Sequence, residues 1–313
     1  MKTVYDHIKS NNIKSLTLVL LFPLVFIGLI FLFVLVALVA LGETAAVAVS
    51  ESLVVTTAVA IPVSIISLLW MFISWAFGDS MMLSMAGASQ IHKDEKKYRE
   101  LFRMVENVSL AAGLPVPRVY IIDDYGMNAF ATGRGPKDAS VAFTVGIIDG
   151  LDKNELEGVI AHEMAHVGNR DIRMDMLIIT GLGVTFFVAD LLFRMAGFGD
   201  RDGDKDSGKL WAIIMAVWLA FVVFNFFISP VLRMAISRRR EYLADATGAL
   251  ITRNPRALAS ALAKISKDSH VEAVENSHTM AGAFIANPCK GISGLFATHP
   301  PIDDRIKRLR DMG

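Results

Sequence analysis

The sequence predicts an α-helical membrane protein: four hydrophobic helices arranged as two hairpins, joined to a mainly α cytoplasmic domain that carries a small β-sheet. Three observations lead there. Apolar residues fill 53% of the 313 positions and mean hydropathy is +0.48, above the about 45–50% apolar share of soluble domains. The excess is gathered into four blocks, and Lys and Arg flank those blocks unevenly. Between Gly113 and Val145 the apolar pattern changes from helical spacing to short β-branched and aromatic runs. The 31 basic and 31 acidic groups cancel, so no electrostatic argument for a nucleic-acid partner exists.

The first block, about 15–41, is free of charge and long enough to cross a hydrocarbon core of about 30 Å. It is too long for the apolar stretch of a cleaved signal peptide and reads as an anchor. The second, about 53–77, pairs with it through residues 42–52, which hold Glu43 and Glu51 but no Lys or Arg. Residues 1–78 thus form an amino-terminal region with a membrane hairpin. A second hydrophobic hairpin fills 174–233, with blocks at about 176–198 and 210–232 split by a polar loop at 199–209. Asp190 and Arg194 in its first arm stand at i, i+4, where they can pair. Positive charges favour the cytoplasmic side. Lys2, Lys9 and Lys14 precede the first block, Lys93, Lys96, Lys97 and Arg99 follow the second, and Arg233 and Arg238 to Arg240 follow the fourth. The amino terminus and every motif-bearing segment therefore face the cytoplasm, with Arg238 to Arg240 read as an anchor at anionic headgroups. The lone Cys289 excludes an internal disulfide framework.

The remaining segments, 79–173 and 234–313, are each small for an independent core and are expected to fold together as one discontinuous domain. Asp94–Ala112 reads as an amphipathic helix ended by Gly113 and Pro115. Arg118–Ile122, Asn128–Thr132 and Ala139–Val145 read as strands. Asp152 with Glu155 forms a capping-box pattern that opens a helix with Leu156, Val159 and Ile160 on its core face.

On that helix lies His162-Glu163-Met164-Ala165-His166. Histidines at i and i+4 share one face and can bind one tetrahedral zinc ion, with a third protein ligand leaving the fourth position to water; the adjacent glutamate can take that water's proton. Among the candidates for the third ligand the sharpest is Glu241, in Ser237-Arg-Arg-Arg-Glu241-Tyr-Leu-Ala-Asp245, where a helix puts Glu241 and Asp245 on one face. Asp245 could then accept the ring N–H of a liganding histidine. Read alone, this block is a solvated, salt-bridged helix; coupled to the upstream motif it is a ligand site. His7, His92, His270 and His278 lack ligand spacing and read as solvated.

His162-Glu-Met-Ala-His166-Val-Gly-Asn-Arg-Asp171, Arg-Glu241-Tyr-Leu-Ala-Asp245 and Thr298-His299-Pro300-Pro301 together resemble the HtpX-type membrane zinc metalloproteases, quality-control endopeptidases related to the CAAX prenyl proteases. The resemblance spans nearly the whole chain. It implies a zincin-like metalloprotease domain with one zinc ion per chain held by His162, His166 and Glu241, and Glu163 as the catalytic carboxylate. It also implies a multi-pass protein of the bacterial inner membrane. Its partners would be the lipid bilayer and protein substrates, chiefly misfolded membrane proteins. Zinc would lower a water's pKa from 15.7 to about 7, with Glu163 as general base. His299, before two prolines, becomes a candidate donor to the oxyanion, although by itself it reads as a capping or surface histidine. The resemblance also makes Asn128, Ala129 and Phe130 part of an edge strand on which an extended substrate lies, held by main-chain hydrogen bonds. A competing reading is a non-catalytic zinc-bearing membrane scaffold.

Overall fold

The computed structural model describes residues 27–180, 205–224, 238–274, 280–288 and 300–313, with isolated positions among 13–24 and 190–194. Its elements, in chain order, are mostly helical, with a four-stranded sheet. Contacts divide the chain into two compact units. One takes Trp75–Thr180 with Arg233–Gly313, and the other takes Lys14–Ser74 with Gly181–Leu232.

In the second unit, α1 (Ile27–Ala40) buries Ile30, Val34 and Leu38, spaced by one turn each, while Leu32, Val36 and Val39 stay exposed. It ends at Gly42, whose φ of +90° closes the helix with Gly42 N–H donating to Val39 O and Glu43 N–H to Leu38 O. The loop expected over 42–52 is therefore much shorter. Ala45 already opens α2 (Ala45–Met85), because the Ala-rich stretch that follows favours helix and Glu51 is no obstacle to it. Only Ser64–Met85, 22 residues with mean hydropathy 1.4, is long and apolar enough among the described residues to cross a membrane. Ile27–Ala40, Ala45–Ala58 and Trp211–Val223 are apolar but shorter. The expected loop at 199–209 is shortened too, since α7 (Lys205–Val223) begins inside it. Arg194 Nε donates to Asp190 Oδ2 at 2.7 Å, the i, i+4 pairing that the sequence allows. Residues 15–16, 18–23, 25–26, 181–189, 191–192, 195–198 and 225–232 of the expected spans, with His7, His278 and Cys289, lie outside the described residues.

In the first unit a strand absent from the sequence reading, β1 (Ala88–Ile91), follows the Gly87 turn at the end of α2. Its four residues carry too little alternation to stand out. A 3-10 turn at Lys96–Tyr98 leads into α3 (Arg99–Ala112), so the expected helix starts five residues late. Gly113 at φ +66° caps α3. Then come β2 (Arg118–Ile122), β3 (Ala129–Thr132) and β4 (Ser140–Thr144), in sheet order β1-β2-β4-β3. β2 and β4 run parallel; β1 and β3 are antiparallel to their neighbours. Both sheet faces are covered. Val119, Ile121, Val141 and Phe143 point into the main core with α3, while Ile122, Phe130 and Ala142 point into a second cluster with Met82 and Leu83 of α2.

Thr144 caps the short α4 (Val145–Gly150), and Asp152 starts α5 (Lys153–Asn169). A helical run, α6, occupies 171–180. The carboxy-terminal helices are α8 (Arg238–Thr252), α9 (Pro255–Ile265) and α10 (Ile302–Arg310), and all three pack with one another and, through α8 and α9, onto α5.

Candidate metal centre

The position of the centre begins with the start of α5. Asp152 Oδ1 accepts from the N–H groups of Asn154 and Glu155, and Glu155 Oε2 accepts from Asp152 N–H, which completes the expected capping box. Glu155 also accepts from Ser260 Oγ and Lys264 Nζ, both at 2.6 Å, so the cap ties α5 to α9. Two glycines let neighbouring helices come close. A Cβ at Gly158 would stand 3.2 Å from the Leu258 backbone, and one at Gly248 would stand 3.0 Å from His162 N. The second approach sets α8 directly against the histidine helix, which is how Glu241 and Asp245 reach His162.

One turn apart on α5, His162 and His166 have their Nε2 atoms 3.2 Å apart. Glu241 Oε2 lies 3.8 Å from His162 Nε2, and Glu241 Oε1 lies 3.6 Å from His166 Nε2. One ligand atom from each of the three falls within 4.8 Å of the others. Ligand atoms about 2.0–2.2 Å from a tetrahedral zinc are separated by roughly 3.3–3.6 Å, so this set matches such an ion in donor type and spacing. Glu163 is buried and lines the same small cavity, with Ala131, Ile172 and Asp175. Burial, aided by Glu241, raises its pKa against the opposing pull of His162, His166 and Arg305.

Each imidazole is backed by a carboxylate, and each carboxylate by a buried arginine. His162 Nδ1 lies 3.0 Å from Asp245 Oδ1. Asp245 in turn accepts from Arg305 Nε at 2.9 Å and Nη2 at 2.7 Å. His166 Nδ1 pairs with Asp171 Oδ2 at 3.0 Å, and Arg240 Nη1 reaches Asp171 Oδ1 at 3.3 Å and Nη2 reaches Asp175 Oδ1 at 2.8 Å. Asp171 comes within reach because Arg170, at φ +58°, turns the chain back after α5. With a proton on each Nδ1, each Nε2 would present its lone pair to a metal; Arg305 Nη2 also stands 3.4 Å from His162 Nε2. Burial works against ionisation of Asp245, but Arg305 and His162 outweigh it and hold its pKa at about 2. Burial also opposes charge on His166, yet Glu241 and Asp171 raise its pKa to about 9. In Asp171, His166 and Arg240 overcome burial and keep the pKa low.

The sequence-predicted residues thus divide. His162, Glu163, His166, Glu241 and Asp245 come together. His299 lies outside the described residues. Asn128, Ala129 and Phe130 stand at β3 but are fully buried: Asn128 Nδ2 donates to Ser269 O and Ala286 O, and its Oδ1 accepts from the Ala129 and Ala286 N–H groups. The open edge expected there is covered by the chain's own residues 284–286, so in this conformation these side chains face the interior and not a bound peptide.

Two further expectations are corrected. Arg240 is buried beside Asp171 and Asp175, not an exposed headgroup anchor, because one buried and one partly buried carboxylate supply the charge that lipid would have supplied. His270 is half-buried, with Nδ1 2.9 Å from Pro288 O, not free in solvent. Arg305 was missed altogether, although the sequence holds a signal for it: it follows Ile302 by three and precedes Leu309 by four, on the apolar stripe of α10.

Comparison with known proteins shows the family. The model of "Peptidase family M48" matches residues 95–313. A "Protease HtpX homolog" of Dictyoglomus thermophilum is 44% identical over 237 residues, covering 75% of this chain and 76% of that protein. One of Thermoanaerobacter pseudethanolicus is 42% identical over 253 residues, covering 80% and 83%. The crystal structure of Ste24p from S. mikatae aligns over 90% of this chain and 62% of its own, with a TM-score of 0.44 and 15% identity. With most of its length matched by the family model and the His162, His166 and Glu241 cluster in place, the chain belongs to peptidase family M48 and is a metalloprotease.

Proposed function

We propose that this metalloprotease is a membrane-bound zinc endopeptidase that hydrolyses peptide bonds of damaged or misfolded membrane proteins on the cytoplasmic side. The observation that carries the reading is the convergence of His162, His166 and Glu241 beside the buried Glu163. His162, His166 and Glu241 would hold one zinc ion, which when bound supplies a Lewis acid for the scissile carbonyl and acidifies a water. Glu163 would take the proton from that water and return it to the leaving amine. Asp245 and Asp171 fix the imidazole tautomers. His299 is proposed as a donor to the developing oxyanion.

The membrane part of the proposal is supported by Ser64–Met85 and by the outward apolar side chains of α2, among them Ile61, Ile65, Leu69 and Phe72, at more than half exposure. Two hairpins with four spans remain the proposed topology, and the excess of Lys and Arg beside the motif segments supports a cytoplasmic site.

Metal content and proteolysis measured together test the reading. Purified protein should hold about one zinc per chain and cut casein and itself. Glu163→Gln should keep the zinc and lose the cleavage, and His162→Ala should lose both. Full activity in Glu163→Gln would sink the assignment, and bound zinc without cleavage in the unaltered protein would favour the scaffold.

A further inference from the structure

Among the described residues the cavity at His162, His166 and Glu241 measures about 10 Å³, room for roughly one water-sized sphere. Gly282, Ala283, Phe284 and Ile285 form one of its walls. Phe284 and Ile285, with Ala286, cover the edge of β3 that β4 leaves unpaired. Phe130 and Phe284 form an antiparallel bridge across that edge, Ile285 N–H donates to Ala129 O at 2.9 Å, and the two phenyl rings meet at 4.9 Å between centroids. Asn128 holds Ala286 at both its N–H and its carbonyl, and Arg305 Nη1 donates to Ile285 O at 3.1 Å. Backbone pairing of an extended segment to a sheet edge is how such edges capture peptides whatever their side chains. Residues 282–286 therefore make the contacts that a substrate laid along β3 would make, within the cavity of the metal site.

Resting on the zinc endopeptidase reading above, we propose that residues 282–286 are an internal pseudosubstrate: they close the site by pairing with β3, must leave that edge before a substrate enters, and place Phe284 in a subsite beside Phe130 that takes a large apolar side chain. The subsite follows from the company Phe284 keeps. It is fully buried in a cluster with Phe130, Met82, Ile122 and Ala142, a setting that offers nothing to a charged group. The substrate class is thus an extended peptide with a large apolar residue at this position. Sequences buried in folded proteins or lipid carry such residues and expose them when damaged.

Cross-linking the bridge tests the closure in the full-length, zinc-loaded protein. Residues 130 and 284 are an antiparallel pair without hydrogen bonds between them, since the flanking bond joins Ile285 to Ala129. Such pairs have Cα atoms about 4.5 Å apart, within the about 4.4–6.8 Å that a disulfide spans. In a Cys289→Ser background, Phe130→Cys with Phe284→Cys should, once oxidised, cut casein and surrender zinc to 1,10-phenanthroline about tenfold more slowly or worse, and reductant should restore both. Cross-linked protein that cuts and surrenders zinc as fast as its reduced form overturns the proposal. If reduced and unaltered proteins hold zinc but cut nothing, the endopeptidase reading fails, while slowed zinc removal still upholds the closure. A synthetic peptide of residues 282–287 addresses the subsite: it should inhibit the unaltered enzyme, and an Asp in place of its Phe should weaken inhibition by about tenfold. Equal inhibition by both peptides overturns the subsite.

Discussion

Arg305 is the residue whose change would separate geometry from charge at the centre. It binds Asp245 through two nitrogens, stands 3.5 Å from Glu241 Oε2, and holds Ile285 O, so one guanidinium fixes both carboxylates of α8 that face the histidines. Removing the partner that orients a ligand's carboxylate typically costs about 10–100-fold in metal affinity. Arg305→Met is expected to weaken zinc binding by about that factor, measured by chelator competition on protein whose helical circular dichroism is unchanged. Arg305→Lys keeps the charge but loses the two-pronged grip on Asp245, and should fall between them. Zinc affinity equal to that of the unaltered protein in both variants would show that Asp245 needs no arginine to hold it.

Among the elements, α5 does most to place the chemistry, and its amino-terminal cap joins it to α9. Burial disfavours a charged Glu155, but Lys264, Ser260 and the Asp152 N–H outweigh it, and its pKa falls below the ordinary glutamate range. A depressed carboxylate pKa stabilises the fold fully above the unfolded value of about 4.3 and loses that contribution as pH falls through the folded value. Glu155→Gln removes the charge and leaves a side chain able to cap. The unaltered protein should therefore lose more melting temperature between neutral pH and the acid side of that range than the variant does. Parallel losses in thermal melts of the two would mean that the Glu155 charge adds nothing. At neutral pH the variant should be less stable by about 1 kcal/mol, the worth of the carboxylate charge in the hydrogen bonds from Lys264 and Ser260.

For the whole molecule, the testable property is the side of the membrane on which each segment lies. Thr44 sits in the α1–α2 turn and Lys93 follows β1, and both are exposed. In a Cys289→Ser background, an impermeant thiol reagent applied to intact cells should label Thr44→Cys and spare Lys93→Cys until the membrane is opened. The reverse pattern would place the motif segments outside the cytoplasm.

By itself the sequence determined the local elements and the local chemistry. Capping residues, helical spacing and the two histidines at i, i+4 depend on neighbours a turn away, so the start of α5, strands β2 to β4, and the residues of the metal cluster were legible. The short β1 was not, nor was the early start of α2, because propensity alone fixes element ends weakly. Tertiary structure alone decided what depends on distant partners. Arg240 reads as one of three surface arginines until Asp171 and Asp175 are seen beside it, and Arg305 reads as one charge in a charged helix until Asp245 is found 2.7 Å away. Asn128 to Phe130 read as an open edge until residues more than 150 positions later in the chain cover it. The physical reason is common to all three. The cost of burying a charge or a strand edge is met by whichever segment folds against it, and no local pattern names that segment.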